Sequence, residues 1–351
     1  MRKSGKGTSL WATVFGAAAA LCLSACATGP KTLEEAVVSD DAIRVPLSAS
    51  PDGLLIATVV LNDGSARPFL IDTGATRTVM FQSVVDELEL EGLRHLRVHG
   101  MVGSEVRGTA TLDSLSLAQE TLEDLEVIVL PDRPYDAEDP LVADGILGMD
   151  VLGNYRLYVG PARDELVLLG LDQPAPVMPL NWARVDLEPN PFGRETKGLR
   201  FLHMRVNGRM APALLDTGSD VSVMTYEFAN WPEVRQARRR MKEQFELAGA
   251  VEVFNPRVEV RGVDMRAGSR VWYDEDIIIK SLDSLEVMGV AGQPFMIAGA
   301  NLLDDGMFYL DFSENVLRLP KLADPDAATT GSRIGAHAAN VTRIEPRVRS
   351  R

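Results

Sequence analysis

Cysteine is almost missing from this 351-residue chain: the only two are Cys22 and Cys26. Beyond position 26 there is no disulfide and no thiolate ligand to brace the chain, which must hold together by burying apolar side chains. Histidine is scarce as well. His95, His99, His203 and His337 form no His-Glu-x-x-His pair, which removes the commonest zinc-peptidase arrangement. A Gly-x-Ser-x-Gly elbow and a glycine-rich phosphate loop ending in Lys-Ser/Thr are both lacking, so serine-nucleophile and nucleotide-driven chemistry have no motif to rest on. Positive charge is the minority sign, with 36 Lys and Arg against 50 Asp and Glu and a formal net charge of −14. That balance disfavours nucleic acid as a partner. No cofactor and no metal are expected. The 46% hydrophobic and 25% charged residues are ample for a globular core. Carboxylates remain as the groups for acid–base work.

Two carboxylates stand out because their surroundings are repeated. Asp72-Thr73-Gly74 and Asp216-Thr217-Gly218 each end an apolar run, Phe69-Leu70-Ile71 and Ala213-Leu214-Leu215. Each follows a turn signal, Asn62-Asp63-Gly64 or Asn207-Gly208, whose glycine lies eight residues before the aspartate. The pattern predicts a strand, a hairpin turn, a second strand, and an aspartate on the loop at its end. Each copy closes with an apolar-apolar-Gly element: Ile146-Leu147-Gly148, 74 residues after Gly74, and Ile297-Ala298-Gly299, 81 after Gly218. A single Asp-Thr-Gly is an ordinary strand-to-turn cap. Two in matched surroundings mark an internal duplication. If the two loops meet, their carboxylates cannot both ionise cheaply; the pair holds one proton, with one member acting as base and the other as acid.

Over about residues 45–322, in two halves, the chain resembles the retropepsin-like aspartic peptidases. The first copy carries Phe69-Leu70-Ile71-Asp72-Thr73-Gly74-Ala75-Thr76, a hairpin through His99-Gly100-Met101-Val102-Gly103, and Asp144-Gly145-Ile146-Leu147-Gly148-Met149-Asp150. The second is looser: Leu214-Leu215-Asp216-Thr217-Gly218-Ser219 is standard, but Met296-Ile297-Ala298-Gly299-Ala300-Asn301 replaces the usual closing segment, and the flap candidate around Leu247-Ala248-Gly249-Ala250 is weak. The resemblance implies an all-β fold of two β-barrel lobes related by a pseudo-two-fold, lobe 1 at 43–172 and lobe 2 at 197–322. Asp72 and Asp216 would be catalytic. Thr73 and Thr217 would bond across the pseudo-two-fold, and Ser219 would bond its neighbouring carboxylate; Gly74 and Gly218 permit the backbone conformation of a tight loop and let its amides approach the carboxylates. His99, Gly100, Met101 and Gly103 would form a substrate-binding flap. The substrate would be an extended polypeptide, and one chain supplying both halves would work as a monomer. The alternative is a binding module that keeps the double lobe without hydrolysis.

The ends read differently. Arg2, Lys3 and Lys6 precede an apolar stretch from Leu10 to Leu23 and then Leu23-Ser24-Ala25-Cys26, which looks like a bacterial lipobox with Cys26 as the lipidated residue; an ordinary signal peptide cut near Ala25 also fits. Residues 1–25 would then be a signal peptide and 26–42 a tether. Two or more acyl chains would hold the protein at a membrane, with the periplasmic face of the outer membrane as the expected position. Short alternating segments at 43–47, 54–61, 68–71, 96–102, 106–112, 125–130, 155–159 and 166–169 predict strands, and 82–89 a short helix. The five prolines between 172 and 196 predict an irregular connector. Charged residues 233–246, with Arg235, Arg238, Arg239 and Arg240, predict a helix. Residues 323–351 are polar and Arg-rich, a tail expected to be disordered.

Overall fold

The computed structural model describes residues 36–321 apart from 37, 51–52, 101–102, 133–142, 192–195, 197, 242–246, 249–252, 255–257 and 304–305. The signal peptide, Cys26, Met101 and the tail 323–351 lie outside the described residues. The chain is mostly β. Its first half runs β1 (Ile43–Ala49), β2 (Leu55–Leu61), β3 (Ala66–Ile71), β4 (Val79–Phe81), α1 (Gln82–Glu87), β5 (Gly92–Gly100), β6 (Gly103–Leu117), β7 (Glu120–Leu130), β8 (Gly145–Leu147), α2 (Met149–Leu152), β9 (Tyr155–Val159) and β10 (Glu165–Gly170). After β11 (Trp182–Asp186) the second half follows as β12 (Phe201–Val206), β13 (Arg209–Leu215), β14 (Val223–Met224), α3 (Tyr226–Ala229), α4 (Pro232–Arg235), β15 (Arg238–Arg240), β16 (Leu247–Ala248), β17 (Val253–Phe254), β18 (Val258–Ala267), β19 (Arg270–Ile279), α5 (Ser284–Met288), β20 (Met296–Ala298), β21 (Phe308–Asp311) and β22 (Val316–Pro320).

The same strand order occurs twice. In the first half it is β2-β3-β8-β4-β7-β6-β5, and in the second β12-β13-β20-β14-β19-β18-β15. In each, the strand ending at the aspartate pairs in parallel with the closing strand, Leu70 opposite Ile146 and Leu214 opposite Ile297. The outer strand folds back on the unit both times, through β2–β6 and β12–β18. Alternation explains the strands: along β2 the apolar residues Leu55, Ala57, Val59 and Leu61 are buried while Val60 is exposed, the period of a sheet with one face on the core. Phe69, Phe201, Phe228, Phe295 and Phe308 are all fully buried in one continuous core.

A third group of strands ties the halves together, in the order β11-β22-β21-β9-β10-β1. β9 and β10 do not simply finish the first half, because β9 also pairs with β21 of the second, Leu157 opposite Leu310. At its centre Arg156 of β9 donates to Asp311 of β21 at 2.8 Å and to the carbonyls of Gly170, Leu171 and Gln173. Tyr309 and Ser313 hydroxyls donate to the same carboxylate. These bonds and the Arg156 charge hold Asp311 below the usual carboxylate range even though burial pushes it up most strongly.

Two sequence expectations are corrected here. Trp182–Asp186, inside the proline-rich connector, is a strand paired with β22; its buried Trp182, Ala183 and Val185 outweigh the flanking prolines. The charged run 233–246 is no continuous helix: α4 ends at Arg235, and Arg238–Arg240 pairs antiparallel with β18. Three consecutive arginines with a free outer side suit a sheet edge, where charge discourages further pairing.

Candidate active site

The two Asp-Thr-Gly loops leave β3 and β13 and meet. Thr73 N–H donates to Thr217 Oγ1 and Thr217 N–H to Thr73 Oγ1, both at 3.1 Å. Each hydroxyl also donates across the junction, Thr73 to the carbonyl of Leu215 at 2.9 Å and Thr217 to that of Ile71 at 2.7 Å. Both threonines are 1% exposed, so these four bonds form away from water, where an unmade bond is expensive.

The lock sets the loops against each other at the glycines. A Cβ on Gly74 would stand 2.5 Å from Asp216 Cγ, and one on Gly218 would collide likewise with Asp72 Cγ. Neither glycine has a positive φ; glycine is needed here for the missing side chain, not for an unusual backbone. Asp72 Oδ1 accepts from Gly74 N–H at 2.7 Å and Ala75 N–H at 3.0 Å, and Asp216 Oδ1 from Gly218 N–H at 3.0 Å.

The aspartates bond to one another through their side chains. Burial, then the Asp72 charge, then the hydrogen bond with Asp72 push the Asp216 carboxyl well above its ordinary range, against the opposing pull of the Gly218 and Ser219 amides. Both residues keep a partly accessible surface. The pair is therefore desolvated on its protein side and open on the other.

Behind the loops several bonds recur in both halves. Asp72 N–H donates to Leu147 and Asp216 N–H to Ala298, both at 3.0 Å; Met149 N–H donates to Ala75 and Ala300 N–H to Ser219. Thr78 Oγ1 donates to Asp150 at 2.8 Å, and Ser222 Oγ to Asn301 at 2.8 Å. Each hydroxyl also accepts from the closing glycine, Gly148 or Gly299. The second closing segment thus keeps the hydroxyl contact through Asn301, where the first has Asp150, which also accepts from the Thr78 amide. Thr78, Asp150, Ser222 and Asn301 went unrecognised as supporting residues; the common four-residue step from Gly74 to Thr78 and from Gly218 to Ser222 was the available signal.

Ser219 does not do what the resemblance implies. Its hydroxyl donates to the carbonyl of Val221 at 2.8 Å, bracing its own loop. The first hairpin is β5–β6, with His99 opposite Ser104 and Gly100 opposite Gly103. His99 is exposed on the face shared with His95 and Arg97, whereas Val98, on the other face, packs against the core. His99 therefore lies on the face of β5 opposite the one that Val98 packs against the core. Gly100 and Gly103 flank the tip, and β5 lies against α5 of the second half. In the second half β15 and β18 form the matching hairpin, continued by β16–β17 with Leu247 opposite Phe254; Gly249 and Ala250 fall outside the described residues. Among the described residues no cluster of three or more His, Cys, Asp or Glu could hold a metal ion.

A polar, partly open carboxyl pair in which one member is held protonated by burial and by its partner's charge is equipped to give and take protons on one substrate group. No curated protein matches the chain. Over residues 57–151, which take in Asp72 and the first closing element but stop short of Asp216, the chain matches the family model for aspartyl proteases.

Proposed function

We propose that the protein is an aspartic endopeptidase of the cell envelope, built as two retropepsin-like lobes about a pseudo-two-fold and working as a monomer. The observation that carries this is the reciprocal threonine lock, which brings the aspartates of two duplicated loops into hydrogen-bond contact. Asp216, raised by burial and by its partner's charge, holds the shared proton. Asp72, with two loop amides on one oxygen, carries the negative charge and takes a proton from a water lying between the two. That water attacks the peptide carbonyl carbon while Asp216 donates to the carbonyl oxygen, giving a gem-diol; the proton gained by Asp72 then passes to the leaving nitrogen as the C–N bond breaks and one diol hydroxyl returns its proton to Asp216, restoring the pair. The substrate lies extended under the hairpins and bonds along its backbone as an added strand would. Placement at the membrane rests on Leu23-Ser24-Ala25-Cys26, with Cys26 carrying the lipid.

The test is turnover of a peptide library by the full chain and by Asp72→Asn and Asp216→Asn. Each substitution should abolish cleavage while leaving the melting transition in place. Cleavage retained by either variant would refute the mechanism.

A further inference from the structure

Leu55 and Arg200 occupy the same place in the duplicated unit. The β2–β3 ladder pairs Ile56 with Leu70, so Leu55 comes opposite Ile71, the residue before Asp72. The β12–β13 ladder pairs Phe201 with Leu214, and the next step sets Arg200 opposite Leu215, whose N–H donates to the Arg200 carbonyl at 3.0 Å. Leu55 is buried and packs close to Gly306 of the second half, where a Cβ would come within 3.0 Å of its Cδ2. Arg200 fills no such space. It borders a cavity of about 380 Å³ whose other walls include Thr76, Arg77, Glu126, Met149 and Asn154. Thr76 and Arg77 continue directly from the Asp72 loop, and Met149 is bonded to Ala75 at 2.8 Å. The cavity therefore borders the chain that leaves the Asp72 loop, with walls from both halves and neither aspartate among them.

One of its two arginines lacks an acidic partner. The Arg200 guanidinium donates to the carbonyls of Gly198 at 2.7 Å, Leu199 at 3.3 Å and Phe312 at 3.1 Å, and lies 5.4 Å from the Phe312 ring centroid. Its Nε is buried without a partner. Burial pushes its pKa down, with no opposing pull from a carboxylate. The nearby acids are committed elsewhere. Glu126 binds Arg94 through both oxygens at 2.7 Å and Arg77 at 3.2 Å; Asp150, also on the wall, accepts from Thr78 and Val151. On the wall Arg77 and Arg200 stand against Glu126 and Asp150, and with Glu126 taken by Arg94 and Arg77 the Arg200 guanidinium has no carboxylate partner among the described residues.

We propose that this cavity is the subsite for an acidic side chain of the bound polypeptide and that Arg200 determines that preference, while the equivalent place at Leu55 offers no charge. The inference rests on the reading that a polypeptide lies in the cleft, but not on its being cut. The guanidinium keeps one Nη2 hydrogen beyond those given to Gly198, Leu199 and Phe312, and a charge-assisted bond from it to a carboxylate is stronger than one to the neutral amide.

The experiment measures binding to the full chain carrying Asp72→Asn, so that nothing is consumed. Decapeptide pools with a central Leu-Phe pair, each fixed with Glu or Gln at one of the other positions, are titrated by fluorescence anisotropy. One position should favour Glu over Gln by about ten-fold, and the ratio should fall towards one when Arg200→Leu or Arg200→Gln is added. Two Arg200 variants are used because glutamine keeps the polar end and length that leucine gives up. A ratio of one at every position, a preference that survives both variants, or no binding by any pool would overturn the proposal. Wild-type cleavage of the preferred pool is scored separately: peptides held but not cut would sink the peptidase reading and leave the acidic subsite standing.

Discussion

Removing one hydroxyl from the threonine lock should cost more than its size implies. In Thr217→Val the side chain keeps its branched shape and volume, so no cavity opens. What goes is Oγ1, which accepts from Thr73 N–H at 3.1 Å and donates to the Ile71 carbonyl at 2.7 Å. Both partners then stay behind in a site where Thr217 and Thr73 are 1% exposed. Each stranded group costs about 1–3 kcal/mol when water cannot reach it, so the loss should be about 2–6 kcal/mol, read from urea unfolding at an unchanged m-value. Thr217→Ser is the control: it keeps both bonds and loses one methyl, worth about 1 kcal/mol. Activity should follow, since misplacing the aspartates by about 1 Å can cost roughly a hundred-fold in rate. If the valine variant is as stable as the serine variant, the four-bond lock contributes nothing and the account of how the loops are held is wrong.

Three further outcomes can be measured. The kcat/KM profile should be bell-shaped, its acid limb set by protonation of Asp72 and its alkaline limb by Asp216; because burial raises Asp216, the alkaline limb should lie well above the ordinary carboxylate range, and a limb near pH 4 would contradict the shared-proton picture. Asp311→Asn should destabilise by about 3–5 kcal/mol, because it leaves the buried Arg156 cation without its counter-charge. The depressed Asp311 carboxyl contributes stability above its unfolded value, lost as pH falls through the folded one, so the gap between wild type and variant should close in acid; a constant gap in thermal melts would refute this. Glu275 is pushed up to about 7, by burial first and then by Asp276. A carboxyl raised in the fold removes stability as pH rises from its unfolded value through its folded one, so Glu275→Gln should raise the melting temperature at pH 8, by about 1–3 kcal/mol of stability, and leave it unchanged at pH 4. An equal effect at both pH values would show that charge is not the cause.

Much of the chemistry was legible because it lives in contiguous residues. The paired Asp-Thr-Gly loops, the strands that feed them and the short helix at Gln82–Glu87 follow from turn signals and alternating burial. Errors arose where a tertiary partner decides. The hydroxyl of Ser219 has an aspartate on one side and a carbonyl two residues ahead on the other, and only coordinates show that it turns to Val221. The second closing segment looks degraded because Asn301 replaces an aspartate, yet an amide oxygen accepts from Ser222 as a carboxylate accepts from Thr78. Charge periodicity alone made 233–246 helical; an open edge beside β18 made Arg238–Arg240 a strand. Arg200 carried no signal at all. Its meaning comes from the leucine at the matching place 145 positions earlier and from the empty space next to it.

The six-strand assembly β11-β22-β21-β9-β10-β1 has a consequence for how the molecule is made. While the first half emerges from the ribosome, β9 waits with one flank bare until β21 arrives about 150 residues later, a window in which that flank can capture a stranger. Once β21 and β22 have slotted in, the backbone between Gln173 and Trp182 no longer has to carry the join. A protease nick there should leave two fragments that co-migrate as a single particle under native conditions and part only in denaturant.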